Sequence, residues 1–476
     1  MNIFSVIKVE TSEHRGKTAL IDGERQLTYA DLLDSASEVA ESLRQEGVGE
    51  YHRVGLLCED SLEYVVVSLA ILSLPAVVVP ISPELAAEEI DEVIKRIDLH
   101  FLLAEKRLRP DGQSAPFCST ALKGREFTLL PRVASGPPDE GYFRLNPAFI
   151  RFSSGTTGAS KGVVLSHEAI IERTDAADKG LQMTSSDTVL WVLSMSYHFV
   201  VTILLFLRRG ATIVLCGRNL PYALLDGVIK HNGTFIYASP FHYSLLSRSA
   251  DISGDALANV RMVVSTAMKL PQQTADEFAE KFGMELTEAY GIIEVGLPFV
   301  RLGREKEKRG SVGRALPDFR IRLLNIDDTG TGEIQIAGKG LLDAYYSPWQ
   351  ERSHILVDGW FPTGDLGQID ADGFLFIVGR KKDVINFVGM KIFANEVEAV
   401  INRYPGVTES LVVGIPHESY GELPVARIVL GEGVVEDGFV EGLRRFCYQH
   451  LTSYKVPKEF EFVPQLPKTA SGKLKR

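Results

Sequence analysis

Helical and β-strand patterns alternate through the first part of the chain. Apolar residues recur at helical spacing in three windows, and β-branched and aliphatic residues cluster in three short runs. The predicted helices cover residues 27–45, 61–74 and 84–96, and the predicted strands cover residues 53–57, 76–81 and 100–103. Because strands that alternate with helices form parallel sheets covered on both faces, the pattern predicts an α/β fold. The alternation resumes at residue 148 and continues to about residue 297.

The most apolar stretch of the chain, residues 64–81, is nearly long enough to cross a bilayer. Pro75 and Pro80 interrupt it, and Ser61 lies where a helix would begin. We therefore predict a buried helix to about Leu74, a turn and a short core strand, with no membrane span. The first residues contain no continuous apolar run of the kind that signal peptides have, so we expect a cytoplasmic location.

Two later regions have a different pattern. Residues 105–145 are polar and rich in Pro and Gly, which predicts a connection made mainly of loops. Between residues 311 and 376, short strands flank two Asp- and Gly-containing turns, which predicts two hairpins and a β-barrel-like part. The end of the chain predicts a small α+β unit, with helices at 394–402 and 436–450 and strands at 409–414 and 459–463.

We place the domain boundary at the charged segment Arg380–Asp383. The predicted N-terminal domain, residues 1–381, is large and contains parallel and mixed sheets with covering helices. The predicted C-terminal domain, residues 382–476, is small.

Composition narrows the classes of function. Lys and Arg number 51 against 62 Asp and Glu, a net charge of −11, which disfavours a nucleic-acid partner. The 4 cysteines are far apart and the 10 histidines are scattered, so the sequence predicts neither a disulfide framework nor a His/Cys metal site.

A hydroxyl-rich glycine loop follows a predicted strand in FIRFSSGTTGASKGVVLSH, which begins at Phe149. Its members are Ser153, Ser154, Gly155, Thr156, Thr157 and Gly158, with Lys161 close behind. Glycines let backbone N–H groups approach an anion, and the hydroxyls and the lysine add donors, so the loop is predicted to bind phosphate. The alternative is a flexible Ser/Gly turn.

Three further motifs carry candidate residues, each with a structural alternative. EAYGIIE contains Tyr290, which could stack on a base, and Glu294, which could bind Mg²⁺, although core packing is equally compatible. GWFPTGDLG contains Asp365, which is placed to accept bonds from a ribose diol or to form a turn. LPKTASGKLKR presents Lys473 on a turn or in a solvated basic tail.

These motifs follow one another in the order found in the adenylate-forming superfamily, which the chain resembles. The superfamily includes acyl- and aryl-CoA ligases, luciferases and peptide-synthetase adenylation domains. The resemblance extends from Leu27 to Lys475, and its most specific parts are SSGTTGASKG, YGIIE, GWFPTGDLG and PKTASGKLKR. It implies ATP and Mg²⁺ as cofactors, CoA as co-substrate and a mobile C-terminal domain.

The resemblance also implies how the nucleotide is bound. The loop Ser153 to Gly158 and Lys161 would close over the β- and γ-phosphates. Tyr290 would lie against adenine, and Asp365 would bind the ribose hydroxyls with help from Arg380.

The implied catalytic residues are Glu294, Lys473 and Lys382. Glu294 would hold Mg²⁺, and Lys473 would bridge the α-phosphate and the substrate carboxylate. Lys382 would be the hinge about which the small domain swings between two half-reactions. The loop 388–391 would then face the thiol.

The chain departs from the family pattern in three places. Ile293 replaces a threonine, Ser194 replaces a proline, and residues 266–270 (TAMKL) replace a glycine-rich segment beside adenine. None of these changes removes a charge.

The segment Trp191 to Val200 resembles the acid-binding segment of the family. It contains no acidic residue to hold an α-ammonium, so an amino-acid substrate is disfavoured. Tyr197 and His198 are expected near the mouth of an otherwise apolar pocket, which favours a fatty or aromatic acid. A structural histidine bonded to the backbone is the alternative for His198.

The sequence thus predicts an AMP-forming acid–thiol ligase. It would activate a carboxylic acid with ATP, release pyrophosphate and pass the acyl group to CoA. The alternatives are a ligase that loads the phosphopantetheine thiol of an acyl carrier protein and, less favoured, a non-enzymatic adenylate-binding protein.

Overall fold

A computed structural model provides the structure of the chain. It describes residues 1–108, 116–117, 119, 121–122, 124–136, 139–152, 161–217, 219–302, 306–388, 390–431, 433–434, 438–468 and 474–476.

The strands, in chain order, are β1 Thr18–Asp22, β2 Arg25–Thr28, β3 Arg53–Leu57, β4 Val77–Ile81, β5 Phe101–Glu105, β6 Pro116–Phe117, β7 Phe127–Pro131, β8 Pro147–Phe152, β9 Gly162–Ser166, β10 Thr188–Trp191, β11 Thr212–Leu215, β12 Phe235–Ala238, β13 Met262–Ser265, β14 Thr287–Ile292, β15 Gly296–Val300, β16 Phe319–Leu324, β17 Gly332–Gly338, β18 Ala344–Tyr345, β19 Gln350–Glu351, β20 Phe361–Ile369, β21 Leu375–Arg380, β22 Val384–Phe387, β23 Met390–Phe393, β24 Val407–His417, β25 Gly421–Leu430 and β26 Glu459–Phe462.

The α-helices are α1 Ile3–Glu10, α2 Tyr29–Gln45, α3 Leu62–Ser73, α4 Ala87–Ile97, α5 Gly141–Arg144, α6 His167–Leu181, α7 Met195–His198, α8 Leu204–Arg208, α9 Tyr222–His231, α10 Pro240–Arg248, α11 Gln272–Phe282, α12 Arg352–Ile355, α13 Ala394–Ile401 and α14 Phe439–His450.

The strands form four sheets within the described residues. A nine-stranded sheet has the order β19-β18-β9-β8-β4-β3-β5-β7-β6, and an eight-stranded sheet has the order β15-β14-β13-β12-β10-β11-β1-β2. Both combine parallel and antiparallel pairs, for example β3 parallel to β4 and β8 antiparallel to β9. A four-stranded sheet, β16-β17-β20-β21, and a five-stranded sheet of β22 to β26 complete the set. The predicted α/β class with mixed sheets is confirmed.

Most predicted elements lie within a few residues of the observed ones, and the start of α2 shows why one boundary differs. Residues 27 and 28, predicted as helix, end strand β2. The Thr28 hydroxyl accepts a hydrogen bond from the Asp31 backbone N–H at 3.1 Å, and Asp31 accepts one from the Thr28 backbone N–H at 3.0 Å. This reciprocal cap fixes the first helical residue at Tyr29.

The apolar stretch forms the buried helix α3 and the core strand β4, as predicted. The Ser61 hydroxyl caps the helix by accepting a bond from the Tyr64 N–H at 3.1 Å. Residues Leu62 to Leu72 are all buried, which explains why the helix is apolar on every face. Within the described ranges, no helix is both long and apolar enough to cross a membrane.

The chain divides into two compact units. Among the described residues, the first comprises those of 1–152, 161–320 and 337–361, and the second comprises those of 321–336 and 362–476. The second unit therefore includes the hairpin of β20 and β21 together with the small α+β region. The pivot at Arg380–Asp383, which concerns motion, stays a prediction.

Candidate active site

Glu294 lies in the tight turn between β14 and β15 of the first unit. The two strands approach so closely that a Cβ atom on Gly291 would lie 2.2 Å from the Gly296 carbonyl oxygen. Gly296 itself has φ +95°, which favours glycine. The two glycines of this motif thus allow the turn that presents the Glu294 carboxylate.

Lys161 and Tyr345 lie at this carboxylate. Tyr345 in β18 pairs with Val163 in β9, and so reaches the region of Lys161 just before β9 begins. The Lys161 ammonium is 4.3 Å from the centre of the Tyr345 ring, and the Tyr345 hydroxyl donates to Glu294 Oε1 at 3.4 Å. Burial, reinforced by the Glu294 charge, holds the pKa of Tyr345 well above its ordinary value, so this hydroxyl remains a donor.

Arg173 in α6 fixes the backbone of the same turn. Its guanidinium donates from Nη1 to the Ile293 carbonyl at 3.0 Å, and from Nη2 and Nε to the Gly340 carbonyl at 2.6 and 3.1 Å. The side chain is fully buried, and burial lowers the pKa of Arg173 to about 10. At neutral pH it is still charged, so Arg173 ties the turn before Glu294 to the loop before β18.

Tyr290 and Ala267 belong to the predicted adenine region. Tyr290 pairs with Phe299 across β14 and β15, their ring centres are 6.0 Å apart, and Tyr290 is half-buried. Ala267, in the segment that replaces the family's glycines, has φ +70°. An alanine here holds a left-handed conformation that glycine adopts without strain.

The second unit brings Asp365 and Arg380 together. They face each other across β20 and β21, and Arg380 Nε lies 3.1 Å from Asp365 Oδ1. The Asp365 backbone N–H donates to the Thr363 hydroxyl at 3.1 Å, and that hydroxyl donates to the Ile334 carbonyl at 2.8 Å. Asp365 is buried, so its carboxylate is held in one place.

Lys382 lies in the short 3₁₀ turn Lys381–Asp383 that follows β21. Burial, with the neighbouring Arg380 and Arg476 charges, lowers the pKa of Lys382 despite the nearby Asp383 carboxylate. Arg476 bonds Asp383 at 3.2 Å, so the end of the chain is anchored beside this turn.

The glycine loop Ser153, Ser154, Gly155, Thr156, Thr157 and Gly158, the tail residue Lys473 and Gly389 of the thiol-facing segment all lie outside the described residues. The residues on either side of the segment 469–473 are described. Lys468 pairs with Leu474, and the Lys475 N–H donates to the Pro467 carbonyl at 2.8 Å.

The expected acid-binding segment contains an aromatic cluster. His198 meets the rings of Trp191 and Tyr237 edge-on at 6.0 and 6.3 Å, and Trp191 stacks on Tyr237 at 5.6 Å. Trp191 is the last residue of β10 and Tyr237 belongs to the neighbouring strand β12, so the cluster spans two strands of the eight-stranded sheet.

Two charged residues reach this segment from elsewhere in the chain. The Arg151 guanidinium lies 5.1 Å from the centre of the Tyr197 ring and donates from Nη1 to the Tyr197 carbonyl at 2.6 Å. Asp60 accepts a bond from the Met195 N–H at 2.9 Å. Asp60 is exposed as a residue, and desolvation of its carboxylate raises its pKa to about 7 despite the bond from Met195.

Within the first unit Tyr345 contacts both Lys161 and Glu294, and within the second unit Asp365 pairs with Arg380. Sequence reasoning missed Tyr345, Arg173, Arg151 and Asp60. The signal for Arg151 was available, since it is the charged residue of an otherwise apolar strand, PAFIRF. Tyr345, Arg173 and Asp60 act through long-range contacts that no local motif records.

Comparison with known proteins decides the family. The model of the AMP-binding enzyme family matches residues 8–346, and that of the AMP-binding enzyme C-terminal domain matches residues 396–473. The chain belongs to the AMP-binding enzyme family. Within this family, its similarity to acid–CoA ligases covers the full length.

Three relatives illustrate the range of this AMP-binding enzyme's similarity. It is 29% identical to the sulfoacetate–CoA ligase of Cupriavidus necator, over 99% of this chain and 96% of the relative. It is 27% identical to a long-chain-fatty-acid–CoA ligase of Bacillus subtilis, over 99% and 93%. It is 28% identical to 4-coumarate–CoA ligase 3 of Oryza sativa subsp. japonica, over 98% and 89%.

Among solved structures, ATP-bound MatB from Rhodopseudomonas palustris superposes with a TM-score of 0.85 at 25% identity, covering 100% of this chain and 97% of that one. The fold of the AMP-binding enzyme is thus an adenylate-forming fold, with a large N-terminal and a small C-terminal domain.

Proposed function

We propose that the protein activates a carboxylic acid with ATP to give an acyl-adenylate and pyrophosphate, and then transfers the acyl group to the thiol of CoA. The observation that carries the proposal is the group of Glu294, Tyr345 and Lys161. In this group one buried tyrosine donates its hydroxyl to the Glu294 carboxylate and has the Lys161 ammonium over its ring. This arrangement suits a ligand that carries both phosphate charge and a divalent cation.

The first half-reaction joins two anions. A carboxylate oxygen of the acid attacks the α-phosphorus of ATP, and the bond to pyrophosphate breaks. Lys161 is placed to offset the charge of the phosphates, and Lys473 is assigned to the reacting carboxylate and α-phosphate. Binding both reactants in line supplies up to about 7–11 kcal/mol in favourable cases.

Asp365 and Arg380 are assigned to the ribose. The Asp365 carboxylate can accept two hydrogen bonds from a 2′,3′-diol, and the facing guanidinium holds it in place. Tyr290 is half-buried and is assigned to the base.

The residues fit Mg²⁺ as the cation. No cluster of three or more candidate ligands occurs in the described part of the chain, and Mg²⁺ that accompanies ATP needs only one or two protein carboxylates. Glu294 supplies one such carboxylate, with Tyr345 as a donor that orients it. When bound, Mg²⁺ would neutralise charge on the phosphate oxygens.

In the second half-reaction the CoA thiolate attacks the acyl carbonyl carbon and AMP leaves with the bonding electron pair. We assign Lys382 to the hinge that replaces Lys473 by the segment 388–391 between the two steps. Closure also excludes water from the adenylate, which is a reactive mixed anhydride. We also propose that residues 382–476 form the domain that moves about this hinge.

The substrate is proposed to be a carboxylic acid without an α-ammonium group, and the setting to be cytoplasmic. The absence of acidic residues from segment 191–200 favours the fatty and aromatic acids. The relatives are named for sulfoacetate, long-chain fatty acids and 4-coumarate, so the family accommodates apolar, aromatic and doubly anionic acids. A carrier-protein thiol is the alternative acceptor.

The test is acid-dependent pyrophosphate release from ATP across a panel of fatty, aromatic and dicarboxylic acids. The assay is repeated with CoA and with a phosphopantetheinylated carrier protein. We expect release that depends on acid and Mg²⁺, and thioester formation with CoA. Adenylate binding without pyrophosphate release would instead indicate a non-enzymatic protein.

Lys473→Ala separates the two half-reactions. Loss of a charge-stabilising donor should lower adenylate formation by about 10²–10³-fold. Thioester formation from presynthesised acyl-adenylate should be nearly unchanged, because the lysine is absent from the second step. Lys475→Ala, an exposed lysine of the same tail, is the matched control. Equal loss in both half-reactions would contradict the role of Lys473.

A further inference from the structure

Arg151 is a cation at the acid end of the site. It lies in β8, and its guanidinium contacts Tyr197 through a hydrogen bond of 2.6 Å to the carbonyl and through the ring face at 5.1 Å. Nε of Arg151 is buried and has no hydrogen-bond partner among the described residues. Within that part of the chain, Arg151 forms no ion pair with a carboxylate.

The protein therefore satisfies only part of the charge and of the hydrogen-bonding capacity of the Arg151 guanidinium. Buried charges in proteins are normally paired and hydrogen-bonded, because the loss of hydration is large. One carbonyl, one aromatic face and the Glu294 carboxylate, which lies beyond ion-pair distance, compensate only part of it, and burial lowers the pKa of Arg151. The planar fork of arginine is well matched to a carboxylate or a sulfonate.

Two buried hydroxyls around the segment have few partners. The hydroxyls of Tyr64 and Ser196 lie close to each other, and no other described group bonds to either of them. Both residues lie at the segment, since Ser196 belongs to α7 and Tyr64 packs edge-on against Phe199 at 5.7 Å. A pair of hydroxyls uses only part of its hydrogen-bonding capacity, so these two groups can also accept a bond from, or donate one to, a polar ligand.

We propose that Arg151 binds a second anionic group of the substrate, so that the enzyme acts on short dicarboxylic or sulfonated carboxylic acids. The inference rests on the proposed function. The inference changes the expected class of substrate. Segment 191–200 alone favours an acid with a fatty or aromatic tail, whereas the Arg151 cation from β8 favours an acid with a second anionic group. A phosphate of ATP is the competing anion, since the Glu294 carboxylate also acts on Arg151 electrostatically, but the hydrogen bond and the ring contact of Arg151 are with Tyr197 in the acid segment.

The test uses acids that differ only at the far end. Pyrophosphate release is measured with succinate against butyrate and with malonate against propionate, so that a carboxylate replaces a methyl group. We expect the parent protein to prefer the dicarboxylate by roughly 10–100-fold in kcat/KM, the range of a charge-assisted hydrogen bond. Arg151→Gln should remove this preference by raising the KM for succinate, with butyrate activity retained, and Arg151→Lys should restore part of it.

Each other result overturns the inference. If the parent prefers butyrate, or hexanoate and benzoate, the proposed function stands and Arg151 is not a substrate ligand. If Arg151→Gln raises the KM for ATP equally with both acids, the guanidinium serves the nucleotide. If no acid of the panel supports pyrophosphate release, the proposed function itself fails. Should Arg151→Gln not fold, the parent comparison and Arg151→Lys still decide the question.

Discussion

Two arginines of the first unit, the buried Arg173 and the half-buried Arg151, differ in how many of their hydrogen bonds the protein supplies. Arg173 donates three hydrogen bonds to two backbone carbonyls and holds the turn at Glu294. Arg151 donates one hydrogen bond to a carbonyl and leaves Nε without a partner in the described chain. Both pKa values are lowered by burial. The two residues have the same side chain, but Arg173 donates more hydrogen bonds to the protein than Arg151 does.

The difference separates a structural cation from one available to a ligand. At the end of the site that we assign to the nucleotide, Arg173 donates to carbonyls of the protein itself and so holds the turn before Glu294. At the acid end, the contacts of Arg151 are incomplete, which allows a substrate to supply them. Preorganisation at one end and specificity at the other is a useful division, because ATP is constant while acids differ between relatives.

The largest expected effect is a difference in the free energy of unfolding between variants of these two arginines. Arg173→Met leaves the buried carbonyls of Ile293 and Gly340 without donors, so we expect the free energy of unfolding to fall by about 2–4 kcal/mol. Arg151→Met removes a buried, partly satisfied charge and should change it by less than about 1 kcal/mol, in either direction. Urea unfolding of both variants measures this. Equal destabilisation would mean that Arg151 is structural as well.

The same contrast explains which parts of the site the sequence could predict. Glu294, Asp365 and Arg380 belong to local motifs in which glycines and turns fix the geometry within a few residues, and Arg380 lies beside Asp365 as the resemblance implies. Strand 53–57 and the helix after Ser61 could also be predicted from nearby residues. The strand is buried along its whole length, and a capping serine begins the helix.

The remaining residues could not be predicted from local pattern. Arg173 acts on carbonyls of residues 293 and 340, far along the chain, and Tyr345 meets Glu294 only because β18 pairs with β9. Asp60 reaches the acid segment from the turn after β3. Such contacts depend on strand order, which a single sequence does not specify.

A smaller effect concerns the acid end and pH. The folded-state pKa of Asp60 is raised to about 7, so the carboxylate binds its proton more tightly in the folded protein. Its destabilising contribution begins above the unfolded pKa, near about 4, and is complete above about pH 7. Because Asp60 is exposed, solvent screening reduces the effect.

Asp60→Asn should therefore raise the thermal midpoint by a degree or two at about pH 8 and leave it unchanged at about pH 4. Calorimetry at both values provides the measurement, and Asp226→Asn, at an exposed helical position, is the control. An identical shift at both pH values would show that the Asp60 carboxylate is not perturbed.

The smallest effect tests whether the nucleotide end is free of strain. Ala267 has φ +70°, a conformation that costs a non-glycine residue about 1–2 kcal/mol. Ala267→Gly removes that cost but adds freedom to the unfolded chain, so we expect a net stabilisation of about 0.5–1 kcal/mol. Since the alanine already follows the backbone path of a glycine, the KM for ATP should change less than about twofold.

Ala279→Gly, within helix α11, is the control and should have the opposite effect, lowering the free energy of unfolding by about 1 kcal/mol. If Ala267→Gly instead lowers stability as Ala279→Gly does, the segment 266–270 is relaxed. The replacement of the family's glycines would then have altered the path of the backbone beside the base.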